Sequence, residues 1–335
     1  MKTCRQIFLS KPARILFGLI LSLLAFYFAF RSLTLQELVA VFSDMKWSWV
    51  AISLVLLAGH HLVKVIRWHG LIDSHARGIS FRPLYASLMI SQMINLVVPA
   101  RAGDITRIQQ IGTMGPGRSF ILITLLLEKV FDMVAFGVLF VALLISITLP
   151  QWIQNTGILF LLLSGFLFTS LVVIFRYRAP IFEWILRISH KFPLRYRDMM
   201  IEKYQTMVSA LTIVENGKVI SLALFWTAVT WLISILTNYC LLLAMDLHLS
   251  WTAPLFILVG LQAGISIPSV PMKIGIFEYV CVLVLGFYGI DQATGVSYGI
   301  LLHLLVMVPI LGAGLYYLIL SDRVFRPRTG TKTTM

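Results

Sequence analysis

The strongest constraint on this chain is a series of apolar stretches too long for the core of an ordinary soluble domain. Six of them, at 14–30, 47–67, 119–149, 157–175, 219–245 and 296–320, approach or exceed a membrane-spanning length. A hydrocarbon core about 30 Å thick takes about 20 apolar residues of helix to cross. The composition agrees, with 59% hydrophobic and 12% charged residues over 335 positions. Soluble domains carry about 45–50% and about 25%. No stretch has the mixed polarity of a separate soluble domain, so the chain reads as one membrane domain.

Charge placement orients the spans. Of 27 Lys and Arg, only Arg31 and Lys46 fall in loops assigned to the outside; the other 25 lie in segments assigned to the cytoplasm or in the membrane near it. That is the positive-inside pattern, reinforced by attraction to anionic head groups. It accounts for the net charge of +13 without nucleic acid, which is not expected as a partner. Basic residues precede the first apolar run, which lacks the short core and Ala-x-Ala site of a cleaved leader. The expected organisation is a cytoplasmic amino terminus over 1–13, one transmembrane domain over 14–320 and a cytoplasmic tail over 321–335. A basic cytoplasmic loop, 176–218, separates the halves. Cys4, Cys240 and Cys281 lie far apart without CxxC spacing, which argues against a disulfide framework or a zinc site.

Two shorter apolar stretches are broken. The first, 83–98, stops at Pro99 and Gly103; the second, 251–289, is interrupted by Pro268, Pro271 and Gly275. With both ends inside, the charge rule holds if each broken stretch enters and leaves by one face. Each half then reads span, span, broken hairpin, span, about 14–149 and about 157–320, in opposite orientation. The fold class is therefore an all-α polytopic membrane protein of six to eight transmembrane helices, built as two inverted repeats, each with a broken or re-entrant hairpin. Pro99-Ala-Arg101-Ala-Gly103 and Pro271-Met-Lys273-Ile-Gly275 echo one another across the halves. Breaks at matching points mark the binding site of many transporters, because exposed backbone survives in lipid only beside a cavity or protein partners.

The candidate site residues cluster at these breaks. Arg101, Asp104 and Arg107 share one flank of a short helix, where the arginine fork suits a phosphate and a helix start adds backbone donors; a salt bridge ending the hairpin is the competing reading. Glu128, Lys129 and Asp132 interrupt the apolar stretch 119–149. Glu128 and Asp132 lie four apart on one face, to be neutralised by Lys129 or the Arg101 cluster. Lys273 and Glu278 flank the second break, with Glu278 placed to cap a helix start. On the second span His60, Lys64 and Arg67 share a face, with Arg67 expected to snorkel to the interface. His303 in the last span is a further polar residue in an apolar setting. Signatures of zinc proteases, serine hydrolases, phosphate loops and paired-aspartate metal sites are absent, so no catalytic residue, metal or cofactor is expected.

Three motifs carry a family resemblance. They are Val98-Pro-Ala-Arg-Ala-Gly-Asp104 with Arg107, Glu128-Lys-x-x-Asp132, and Ile267-Pro-Ser-Val-Pro-Met-Lys-Ile-Gly-Ile-Phe-Glu278. Over roughly 15–320 the chain resembles the flippase-like transmembrane region of lysylphosphatidylglycerol synthases and its stand-alone relatives. The resemblance implies a bacterial inner-membrane protein that moves lipids or lipid-linked intermediates between leaflets, with both termini cytoplasmic. It puts Arg101, Asp104, Glu128, Asp132 and Glu278 at the family's polar positions. Lysyl transfer belongs to a separate soluble domain of the synthases and is not expected here. The chain departs from the family pattern at Lys129, where the family has Arg, and at Met272-Lys273, where it has Gly-Gly.

The expected function is translocation of an anionic phospholipid or a polyprenyl-phosphate-linked envelope intermediate. In it Arg101, Asp104, Arg107 and Lys273 bind substrate, while Glu128, Lys129, Asp132 and Glu278 gate or couple movement. The rivals are a membrane-embedded enzyme and a non-transporting scaffold for envelope-biosynthesis enzymes.

Overall fold

The computed structural model describes residues 43–73, 78–98, 102–190, 197, 201, 208, 215–265 and 271–325. The expected first span 14–30, Cys4, Arg31, Pro99, Arg101, Pro268 and the tail from 326 lie outside the described residues. Eleven helices follow in order: α1 Trp47–Asp73, α2 Phe81–Val97, α3 Ala102–Gly112, α4 Arg118–Ser146, α5 Gln151–Arg176, α6 Arg178–Ser189, α7 Gly217–Ala244, α8 Thr252–Ile265, α9 Ile276–Phe287, α10 Gln292–Ile319 and α11 Ser321–Val324. A 3-10 turn, Pro271–Lys273, precedes α9. No strand occurs among the described residues.

Among the described residues, five segments are long and apolar enough to cross a membrane: Trp47–Asp73, Arg118–Ser146, Ile153–Ser170, Gly217–Ala244 and Gln292–Ile319. Each overlaps a span read from the sequence, and the protein is an all-α polytopic membrane protein. The outward faces are apolar, with Val55 72%, Ile145 83% and Ile319 73% exposed, while Ser53, Thr124, Thr227, Thr230 and Asn238 are buried. Greasy surface with polar groups inside is the arrangement a lipid solvent selects.

The broken stretches fold as helical hairpins. Helix α2 packs on α3, and α8 packs on α9. At 1.5 Å per residue the 14 residues of α8 and 12 of α9 reach about 21 and 18 Å, short of a core about 30 Å thick. Each hairpin's second helix rests on the closing helix of its own half, α3 on α4 and α9 on α10. Its first helix rests on the closing helix of the other half, α2 on α10 and α8 on α4. The most extensive packing is between α1 and α7.

Two apolar clusters fill the interior. One gathers Phe136, Phe140 and Leu143 of α4 with Phe256, Val280, Val284 and Leu301 of α8, α9 and α10. The other gathers Trp68, Leu71 and Ile72 at the end of α1 with Leu84, Ile111 and Phe120 of α2, α3 and α4.

The second span does not end at Arg67, nor does that side chain snorkel. Helix α1 continues to Asp73, and Arg67 is only 1% exposed. The extra turn buries Trp68, Leu71 and Ile72, and the guanidinium finds carboxylates inside the protein instead of water outside it.

Candidate functional site

The first hairpin closes through unusually tight helix packing. The Gly103 amide donates to Asn95 Oδ1 at 2.8 Å, joining the first turn of α3 to α2. A Cβ at Gly103 would lie 2.0 Å from the Ser91 carbonyl oxygen, so only glycine allows this approach. Gly103 sits within the first turn of α3.

One turn further along α3, Arg107 is buried and its Nη2 donates to Glu128 Oε2 at 3.0 Å. Its guanidinium carbon lies 3.9 Å from the centroid of the Trp68 ring, a cation–π contact. Glu128 also receives Arg67 Nη2, at 3.3 Å on Oε1. Arg67 grips Asp132 with both terminal nitrogens, at 2.6 and 3.3 Å, and its Nη1 donates to Thr227 Oγ1 of α7 at 2.8 Å. Planar two-point pairing of this kind is the strong form of an ion pair. Lys129 lies 3.6 Å from Asp104, whose Oδ1 accepts from Ser91 and Asn95, both at 3.4 Å.

One network therefore ties α1, α2, α3, α4 and α7 together. The sequence spacing put Glu128 and Asp132 on one face, and Arg67 does bridge them. Of the expected neutralising cations, Arg107 of the Arg101 cluster does meet Glu128, whereas Lys129 turns to Asp104, and Arg67, not expected, serves both carboxylates. Asp104 pairs with that lysine among the described residues, and Arg107 is committed to Glu128. Arg67 was the residue missed. Its signal was present in the apolar residues that follow it, Trp68, Leu71 and Ile72, which show that the helix does not end there.

The second hairpin is built around backbone. Met272 and Lys273 take φ of 63° and 60°, and Gly275 takes 87°. The left-handed region suits glycine and costs other L-residues about 1–2 kcal/mol each. These are the positions where the sequence carries Met-Lys in place of Gly-Gly. Glu278 closes the turn: its Oε2 accepts the Gly275 amide at 2.7 Å, and its Oε1 lies 2.6 Å from His303 Nδ1 on α10. His303 Nε2 lies 2.8 Å from the Met272 carbonyl oxygen, which can only accept, so Nε2 carries hydrogen. The contact between Nδ1 and Oε1 then holds one further shared proton. The Phe277 ring stacks on the imidazole at 4.5 Å. Glu278 is thus a helix cap, as its position suggested, and also one partner of a buried pair.

Between the hairpins lies a cavity of about 270 Å³. His60, His61 and Lys64 of α1 reach it, as do Gln92 of α2, Asp132 of α4, Asn238 of α7 and Gln262 of α8. Trp231, Leu258, Phe277, Leu302 and Val306 form apolar wall. His60 Nδ1 lies 3.2 Å from Ser234 Oγ and 3.3 Å from the Thr230 carbonyl oxygen, both on α7. Asp132 alone of the carboxylates in the Arg67 network faces the cavity, so the network and the cavity meet at that side chain. Among the described residues no group of His, Cys, Asp and Glu is arranged to hold a metal ion.

Comparison with known proteins follows from this geometry. The family model described as lysylphosphatidylglycerol synthase TM region matches residues 15–314, and the chain belongs to that family. No curated protein matches it.

Proposed function

We propose that this member of the lysylphosphatidylglycerol synthase transmembrane-region family moves an anionic phospholipid, or a polyprenyl-phosphate-linked envelope intermediate, between the leaflets of the bacterial inner membrane. The observation that carries the reading is the central cavity. It is lined by residues of both hairpins, draws polar groups from α1, α2, α4, α7 and α8, and has apolar wall beside them. A lipid offers both chemistries at once, a polar head and apolar chains.

The packing supports two inverted repeats. Exchanging α1 with α7, α2 with α8, α3 with α9 and α4 with α10 carries each principal contact into another: α2 on α10 becomes α8 on α4, and α3 on α4 becomes α9 on α10. Transporters with this plan hold substrate near the midplane, at the repeat interface, and alternate access around it. Of the substrate-binding set expected from the sequence, Arg101, Asp104, Arg107 and Lys273, the three described residues do not line the cavity, and Asp104 and Arg107 are engaged with Lys129 and Glu128; Arg101 is kept as the proposed phosphate contact. Asp132, which touches both cavity and network, couples occupancy to the Glu128 and Lys129 pairs, and Glu278 does the same for the second hairpin.

Reconstitution tests it. Vesicles holding the purified protein and a fluorescent phosphatidylglycerol should expose inner-leaflet label to an external quencher faster than protein-free vesicles. Asp132→Asn and Arg101→Ala should slow that exposure. Wild-type vesicles no faster than protein-free ones would sink the reading, and product formation by detergent-purified protein would favour the enzyme class instead.

A further inference from the structure

The charges around the first hairpin do not balance. Among the described residues, the charged side chains that pair around Glu128 or line the cavity are the cations Lys64, Arg67, Arg107 and Lys129 and the anions Asp104, Glu128 and Asp132, one cation in excess; Arg82 and Arg118, exposed at the starts of α2 and α4, lie outside this set. Arg67, Arg107 and Lys129 each have a carboxylate within 4.0 Å, and Lys64 has none. Lys64 reaches the cavity, where Asp132 and Glu128 attract it only at longer range and Arg67 and Lys129 repel it. A cation kept in a membrane-embedded cavity without direct pairing is costly and is a site by default.

A second observation concerns the next wall residue. His61 is 4% exposed, and its Nδ1 lies 3.3 Å from the amide nitrogen of Gln92. An amide nitrogen donates, so Nδ1 accepts and the hydrogen sits on Nε2. That Nε2 is buried with no hydrogen-bond partner. Lys64 and His61, three residues apart on α1, both line the same cavity, and the His61 Nε2 hydrogen, buried in its wall, has no partner there.

We propose that Lys64, with His61 beside it, seats the phosphate oxyanion of the substrate in the central cavity, so that the protein selects phosphate-bearing lipids over neutral ones. A phosphodiester carries one negative charge and cancels the excess. Lysine binds phosphate as a point charge with rotatable donors, where arginine imposes a fork. The cavity volume of about 270 Å³ falls just below the usual range of small-molecule sites, about 300–1,000 Å³. It takes a small glycerophosphate head and excludes the acyl chains, which must leave towards lipid. The assignment rests on the proposed lipid-carrying function only for the source of the phosphate.

The test is a titration of the purified full chain in detergent with short-chain phosphatidylglycerol, with diacylglycerol of the same chains, and with inorganic phosphate as competitor. Wild type should bind phosphatidylglycerol at least tenfold more tightly than diacylglycerol. Lys64→Gln should abolish that preference, and Lys64→Arg should keep most of it. Competition by inorganic phosphate would show a site open to the free anion, and its failure to compete would assign the seat to the lipid head group; the phosphate seat stands in both cases. A full preference retained by Lys64→Gln, or no preference in wild type, overturns the assignment. If Lys64→Gln does not fold, acetic anhydride labelling of wild type decides. Phosphatidylglycerol must shield Lys64 from acetylation where diacylglycerol does not, and equal shielding overturns the proposal. Binding is read here without leaflets, so absent translocation with intact selectivity would count against the transport reading alone.

Discussion

The two hairpins hold their shape by opposite means. The first, closed on itself by the Gly103 amide and Asn95, is fixed to its neighbours by charge: Arg107 of its own α3 meets Glu128 of α4, and Arg67 of α1 grips both Glu128 and Asp132. The second is clamped largely from within, by one carboxylate that caps its own turn and one imidazole that reads that turn's carbonyl. The first uses charge to fix helices against one another. The second uses local hydrogen bonds to hold backbone in a left-handed shape that its Met272 and Lys273 do not favour. Removing one partner from a buried ion pair leaves a stranded charge, whereas removing a cap leaves unmet neutral donors. The two devices should therefore fail by different amounts.

The largest effect is expected at Arg67. Arg67→Ala strands Asp132, which can still meet the cavity, and half of the buried Glu128. Breaking a fully buried pair costs about 3–5 kcal/mol, the upper bound here. Arg67→Lys keeps a charge but loses the fork that grips Asp132, so it should restore less than half of the loss. Thermal unfolding of the purified protein in detergent measures both. A melting temperature unchanged in Arg67→Ala would mean that the network does not clamp the hairpin.

Glu278 comes next. Glu278→Ala leaves the Gly275 amide and His303 Nδ1 without their partner, at about 1–3 kcal/mol for each unsatisfied buried group. Glu278→Gln is the sharper variant. Its amide oxygen can accept from Gly275 while its NH₂ donates to Nδ1 of a neutral His303, so every bond survives. Near-wild-type melting for Gln with clear loss for Ala is the expected pattern. Equal losses would show that charge matters in the second hairpin as in the first, and would erase the contrast.

The contrast also explains what could be read before the structure. The positions of the five described spans, the two breaks and the shared face of Glu128 and Asp132 follow from hydropathy, Pro and Gly placement and helical spacing, all of which are local. Partner choice is not local. Arg67 lies sixty-one residues before Glu128, and nothing in its own neighbourhood says which carboxylate it will meet. His303 was equally opaque: its partners Glu278 and Met272 lie 25 and 31 residues upstream. The cavity depends on helices from both halves arriving together, so Lys64 showed in sequence only as a polar residue on a helix face.

Backbone strain sets up the third comparison. Gly103 in the first hairpin is needed for space, whereas at Met272 and Lys273 glycine would be wanted for its dihedral freedom. Replacing either by Gly relieves about 1–2 kcal/mol of left-handed strain and gives back about 0.4–1 kcal/mol through the greater freedom of the unfolded chain. Relief wins narrowly. Met272→Gly and Lys273→Gly should each raise the melting temperature slightly, and a fall in both would mean that these side chains make contacts worth more than the strain.

The smallest effect is expected where charge is paired without burial. At the far ends of α1 and α7, Lys46 Nζ lies 2.5 Å from Asp246 Oδ1, with His248 Nε2 at 3.0 Å. The contact is as short as any in the Arg67 network, yet all three side chains are about half exposed or more, and water screens such pairs. The Lys46 hydrogen bond, and then that of His248, hold the Asp246 carboxyl below its ordinary value. A carboxyl lowered in the folded state stabilises above its unfolded pKa of about 3.9, and that contribution is lost as pH falls through the folded value. Asp246→Asn should therefore melt with wild type from about pH 5 to about pH 8, and any gap should be small and should shrink only below about pH 4. Asn also tolerates the φ of 57° at this position. A large loss at neutral pH would mean that short distance, rather than burial, decides what an ion pair contributes here, and the explanation offered for Arg67 would have to be given up with it.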